Sequence, residues 1–185
     1  CRPLSLEELE VRSLLSAAVV AGQLQITGTR GDDVVAISAN GNNGEVVVNQ
    51  APDVANGTLF TGVNSIRILS GKGNDSINAS GGSYKNIAGA SIGVAIDAGP
   101  NNDSLRGSAN NDTLVGGKLD DWLFGDVGND RLFAGAASYN FVDGDAVATA
   151  IALTTVSNGD MLDGGEGDDV LYGSRGSDFL RGGDG

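Results

Sequence analysis

A nine-residue period constrains this chain more than any other feature. From Gly99 to Phe133, Asp103, Asp112, Asp121 and Asp130 fall nine apart, and Leu105, Leu114, Leu123 and Leu132 follow each of them by two places. The spacing returns at Asp160, Asp169 and Asp178, accompanied by Leu162, Leu171 and Leu180. A fixed short period means that one small unit stacks on copies of itself, because nine residues cannot bury their own apolar side chain. The rest of the chain is read as flanks of that stack.

Within a unit, glycine or another small residue favours positions one, two and four, Asp holds position six, and an aliphatic residue holds position eight. Isolated copies lie further forward, at Gly28 to Val35 with Asp33, and at Gly71 to Ile77 with Asp75. Positions six to nine are long enough for a minimal strand, and period-two alternation puts six and eight on one side of it. Position eight is Val35, Ile77 and then Leu in all seven regular copies, so this column is the expected core. The glycine half supplies a tight bend with φ > 0, in which carbonyl oxygens crowd inward.

Composition narrows the chemistry. The net charge of −13 comes mainly from Asp, because Glu occurs only at 7, 8, 10, 45 and 166. Asp beside Gly suits turns or hard-cation ligation, and with so negative a chain neither nucleic acid nor an anionic membrane is an expected partner. The sequence has no His and a single cysteine, Cys1, which excludes Ser-His-Asp and Cys-His catalysis, His-based zinc sites and an intrachain disulfide. A bend lined by carbonyls and one carboxylate is an oxygen cage, and many hard oxygen ligands favour Ca²⁺. The expected metal residues are therefore Asp33, Asp75, Asp103, Asp112, Asp121, Asp130, Asp160, Asp169 and Asp178. If two nines make one full coil, Asp103 pairs with Asp121, Asp112 with Asp130 and Asp160 with Asp178, while Asp33 and Asp75 lack a partner at that spacing.

These residues resemble a known family. Gly-Gly-x-Gly-x-Asp-x-aliphatic-x is the repeat of the calcium-binding β-roll in repeats-in-toxin (RTX, haemolysin-type) exoproteins, and Gly164 to Tyr172 fits it at every position. The resemblance implies an all-β, right-handed parallel β-roll or β-helix solenoid with Ca²⁺ in its turns, held by the position-six Asp and by turn carbonyls. Leu119, Asn101 and Asn110 replace the fourth-position Gly and Pro100 stands at position three, so those turns are expected to be distorted or weak. The unit at Gly164 is expected to be the best formed and to hold the tightest calcium.

The expected layout runs in five parts. Residues 1–21 form a short amphipathic helix, with Ser5 and Glu8 as a capping box, that caps the stack or serves as a leader. The stretch Leu6 to Ala17 resembles the leader segment of large exported bacterial proteins. Residues 22–97 form irregular rungs of the same solenoid with loops near 40–44 and 49–57, residues 98–133 a regular block, 134–158 an insertion without the period, and 159–185 a second, truncated block. No stretch reaches the 18 or more apolar residues of a membrane span. The function expected is a non-enzymatic, calcium-binding structural module of a secreted or cell-surface bacterial protein that folds on Ca²⁺ after export. The alternative is a non-catalytic accessory region of an exported hydrolase or toxin whose active domain lies elsewhere. A protein or carbohydrate partner is not legible from these residues.

Overall fold

The computed structural model of the chain describes residues 16–51, 53–135, 137–142, 145–151, 159–174 and 176–185. Within these the protein is all β, built as two large sheets whose strands are contributed in turn by successive rungs, with a separate two-stranded sheet. Sheet one holds β1 (Ser16–Val20), β2 (Gln23–Thr27), β6 (Ser65–Leu69), β8 (Val94–Pro100), β10 (Thr113–Lys118), β12 (Arg131–Gly135) and β16 (Val170–Tyr172) in that order. Sheet two runs β17 (Phe179–Asp184), β15 (Met161–Glu166), β11 (Trp122–Val127), β9 (Ser104–Arg106), β7 (Ser76–Gly81), β3 (Val34–Ala39), β4 (Val46–Gln50) and β5 (Thr58–Phe60). From β6 onward the stacked neighbours within each sheet pair in parallel, while the chain alternates between the sheets.

The period-nine pattern explains this register. Two columns of aliphatics are formed by direct strand partners: Val35, Ile77, Leu105, Leu123, Leu162 and Leu180 in sheet two, and Ile26, Ile68, Ile96, Leu114, Leu132 and Leu171 in sheet one. Most of these side chains are fully buried in one core cluster, as expected for position eight. Leu180 is the departure at 44% exposed, because β17 is an edge strand with a neighbour on one side only. Tyr84 lies buried beside the core, with its hydroxyl donating to Ile37 O and Ala79 O.

Two expectations need correction. The N-terminal helix over 1–21 falls largely outside the described residues, but its end is a strand: β1 pairs antiparallel with β2 from Ser16↔Thr27 to Val20↔Gln23. Ala21 and Gly22 are both left-handed (φ 50° and 81°), which is the two-residue turn that closes a tight hairpin, and Val19-Val20 suits a strand better than a helix. The leader-like residues before Ser16 lie outside the described residues. Second, residues 46–60 are not parallel rungs, because β3, β4 and β5 form an antiparallel meander on the edge of sheet two. The connection between β3 and β4 is a short turn, and parallel pairing would need a crossover of a dozen or more residues. The insertion, which lacks the period, contains a hairpin of its own, β13 (Ala137–Val142) paired antiparallel with β14 (Asp145–Ile151).

Candidate metal centre

The position-six aspartates form two buried ladders, one along each row of turns. Each Asp after Asp33 accepts, on Oδ1, the backbone N–H of the equivalent residue one rung earlier. In the first ladder Asp33 N donates to Asp75 at 2.8 Å, Asp75 N to Asp103 at 2.7 Å, Asp103 N to Asp121 at 2.9 Å, Asp121 N to Asp160 at 2.8 Å and Asp160 N to Asp178 at 3.1 Å. In the second, Val94 N donates to Asp112 at 2.7 Å, Asp112 N to Asp130 at 2.8 Å and Asp130 N to Asp169 at 2.8 Å. The structure thus brings together the three pairs expected from the 18-residue coil. It also joins Asp33 and Asp75, which have no partner at that spacing, through coils of 42 and 28 residues. The hairpin insertion is looped out between rungs, and both ladders cross it unbroken with a step of 39 residues.

Position one sits against the carboxylate. A Cβ on Gly125 would lie 2.3 Å from Asp130 Oδ2, so only a small residue lets the aspartate fold into its own turn. Position two sits against the next rung. Gly117 has φ +121° and a Cβ there would lie 1.9 Å from Gly99 O, so the stacked turns approach through their backbones and bring carbonyl oxygens into line. The substituted fourth positions behave differently from one another. Asn101 (φ 96°) and Leu119 (φ 75°) keep the left-handed bend despite their side chains, so the turns at Asp103 and Asp121 are not distorted, and Pro100 fits as the partner of Lys118. Asn110 is not left-handed, and its amide donates to Tyr84 O at 3.2 Å and Ile92 O at 2.8 Å.

Leu119 bears the cost of its bend with no compensating burial, being 47% exposed. A left-handed non-Gly residue costs about 1–2 kcal/mol, partly offset when Gly replaces it by the greater freedom of the unfolded chain. Leu119→Gly is expected to stabilise the calcium-loaded protein by about 0.5–1 kcal/mol. An unchanged or lower denaturation midpoint would contradict this.

The electrostatics of the ladders identify what they lack. Asp33, Asp75, Asp103, Asp112, Asp121, Asp130 and Asp160 are buried, and Asp169 is partly so. Five carboxylate oxygens, the Oδ2 atoms of Asp75, Asp103, Asp121, Asp130 and Asp169, are buried without a hydrogen-bond partner. Loss of hydration pushes Asp121 up to about 8 and Asp103, Asp112 and Asp130 up to about 7, with neighbouring carboxylates adding to the rise and the ladder N–H groups only partly offsetting it. Asp75 is raised for the same reason. A buried charge without a counterion is costly, and repeated rung after rung it calls for a cation. No three carboxylate, His or Cys groups converge among the described residues. A cation here would therefore meet one carboxylate oxygen per turn together with backbone carbonyls, a donor set that suits Ca²⁺ and supplies neither nitrogen nor sulfur for zinc. When bound, Ca²⁺ supplies the positive charge and oxygen-coordinating capacity these atoms are missing.

A second ladder on the turn surface was missed in the sequence pattern. At position five, Asn74 N donates to Asp32 Oδ1 at 2.8 Å, Asn102 N to Asn74 Oδ1 at 3.1 Å, Asn129 N to Asn111 Oδ1 at 2.9 Å and Asp168 N to Asn129 Oδ1 at 3.1 Å. The signal was available, since Asp or Asn fills position five in seven of the nine units.

Alternating parallel rungs and paired ladders of buried aspartate define a cation-organised repeat protein. The family of the RTX calcium-binding nonapeptide repeat matches the chain four times, over residues 67–83, 96–121, 106–138 and 155–185. The chain belongs to that family, and its repeats bind Ca²⁺. The copy at Gly28 to Val35 lies outside those matches, yet Asp33 heads the first ladder. No curated protein and no solved structure matches the chain. No helix among the described residues is long and apolar enough to cross a membrane.

Proposed function

We propose that this chain is a structural module of an exported bacterial protein, secreted or held at the cell surface, whose rungs close into a right-handed parallel β-roll when Ca²⁺ fills its turns. One observation carries this reading: the five unpartnered, buried carboxylate oxygens recur in phase with the repeat. Without a cation the ladders stack like charges in a desolvated row, and the stack opens. At a dissociation constant of ~10⁻⁴ M, typical of weak extracellular sites, millimolar Ca²⁺ contributes roughly 1.4 kcal/mol per site. Several such sites together rival the whole stability of a small domain. Cytosolic calcium is far below that range, so folding follows export. The buried carboxylates are spread along ladders rather than gathered as an acid/base pair, which favours a structural over a catalytic role.

The test is a far-ultraviolet circular dichroism titration of the chelated protein with Ca²⁺. A rise in β signal saturating near millimolar Ca²⁺, not reproduced by equal Mg²⁺, is expected. An identical β spectrum in chelator and in excess Ca²⁺ would reject calcium-driven folding.

A further inference from the structure

Eight of the nine aspartate turns, those whose position two is described, are of two kinds, and the residue at position two separates them. In the open kind, positions two and four are both left-handed: Gly71 and Gly73, Gly99 and Asn101, Gly117 and Leu119, Asp126 and Gly128, Gly165 and Gly167. These five turns are the ones whose aspartates, Asp75, Asp103, Asp121, Asp130 and Asp169, keep a buried, unpartnered Oδ2. In the closed kind, position two is Thr29, Ser108 or Ser174 and is not left-handed, nor are Gly31 and Asn110 at position four. There the backbone N–H of position two turns inward and donates to Oδ2, from Thr29 to Asp33 at 2.6 Å, from Ser108 to Asp112 at 2.5 Å and from Ser174 to Asp178 at 2.5 Å. The hydroxyl donates to the same carboxylate, at 3.1 Å for Thr29, 2.9 Å for Ser108 and 3.3 Å for Ser174. It also accepts the N–H two residues on, from Gly31, Asn110 and Gly176.

Two of the closed turns begin the ladders, Asp33 the first and Asp112 the second. At the head of a ladder a stacked aspartate turn lies on one side only, so fewer carbonyl oxygens are within reach of an ion. Two short donors from the protein satisfy the carboxylate there instead, and charge-assisted bonds of this kind are among the stronger ones.

We propose that Thr29, Ser108 and Ser174 replace calcium in their own turns, so that the residue at position two, and not the aspartate at position six, decides which turns take an ion. This rests on the calcium reading above and refines it. Of the nine aspartates, Asp33, Asp112 and Asp178 make turns that need no metal, while the open turns take Ca²⁺.

Isothermal titration of the chelated protein with Ca²⁺, alongside Asp33→Asn, Asp112→Asn and Asp121→Asn, tests this. The unmodified chain is expected to bind no more ions than its five open turns and Asp160 allow. Asp121→Asn is expected to lose one ion, whereas Asp33→Asn and Asp112→Asn keep the full number. Binding of seven or more ions by the unmodified chain overturns the proposal, as does loss of an ion from Asp33→Asn or Asp112→Asn on a par with Asp121→Asn, with calcium binding as such left standing. No binding by the unmodified chain rejects the calcium reading itself. Thr29→Gly gives a readout independent of the neutralised aspartates, since its turn already has Gly31 at position four. A gain of one ion is expected, and an unchanged number overturns the proposal.

Discussion

Calcium-free protein is expected to lose stability as the pH is raised from about 4 to about 8, and calcium is expected to remove most of that loss. Burial raises Asp103, Asp112 and Asp130 to about 7 and Asp121 to about 8, from an ordinary value of 3.8. For a carboxyl raised on folding, the folded state holds its proton over a range where the unfolded state has released it. The stability it contributes is complete below the unfolded value and is lost as pH rises through the folded one. The window therefore opens near 4 and closes near 7 to 8. Each group gives a slope of at most about 1.4 kcal/mol per pH unit inside it, so four together outweigh the stability of a small domain. At the open turns of Asp103, Asp121 and Asp130, Ca²⁺ competes with those protons and binds the ionised form, so its affinity rises over the same window. Thermal melts from pH 4 to 8, in chelator and in about 10 mM Ca²⁺, roughly a hundredfold over ~10⁻⁴ M, should diverge as pH increases. Melting temperatures that rise with pH in chelator, or parallel curves, would show that the ladders are not desolvated carboxylates awaiting a cation.

Leu114→Ala is expected to destabilise the calcium-loaded protein by about 2–5 kcal/mol. Leu114 is fully buried, with Ile96 and Leu132 as its strand partners on either side. Its removal leaves a cavity in a column that a rigid backbone ladder cannot close, because its own turn at Asp112 and the adjacent one at Asp130 are fixed by their own hydrogen bonds. The same change at Leu180 should cost less than about 1 kcal/mol, since that side chain is 44% exposed on an edge strand. Chemical denaturation in saturating Ca²⁺ measures both. Equal costs at the two sites would mean that position eight is not a continuous core column.

The period alone determined most of this protein. Aspartate and leucine two places apart, repeated at nine, dictate short strands with both side chains turned inward, and the structure places Asp103 and Leu105 there together. Oxygen chemistry and the absence of His likewise pointed to calcium without coordinates. Three things were decided only by tertiary contact. Residues 46–60 are apolar enough for rungs, but the short turn before them allowed only antiparallel pairing, a matter of connection length rather than composition. Asp33 and Asp75 sit far from any repeat in sequence, and only the stacking of unequal coils brings them into line with Asp103. Above all, eight aspartates that look equivalent in sequence divide by whether the neighbouring backbone N–H points at the carboxylate or away from it. That direction is set by the φ of positions two and four, and it leaves Asp121 bare where Asp112 is satisfied.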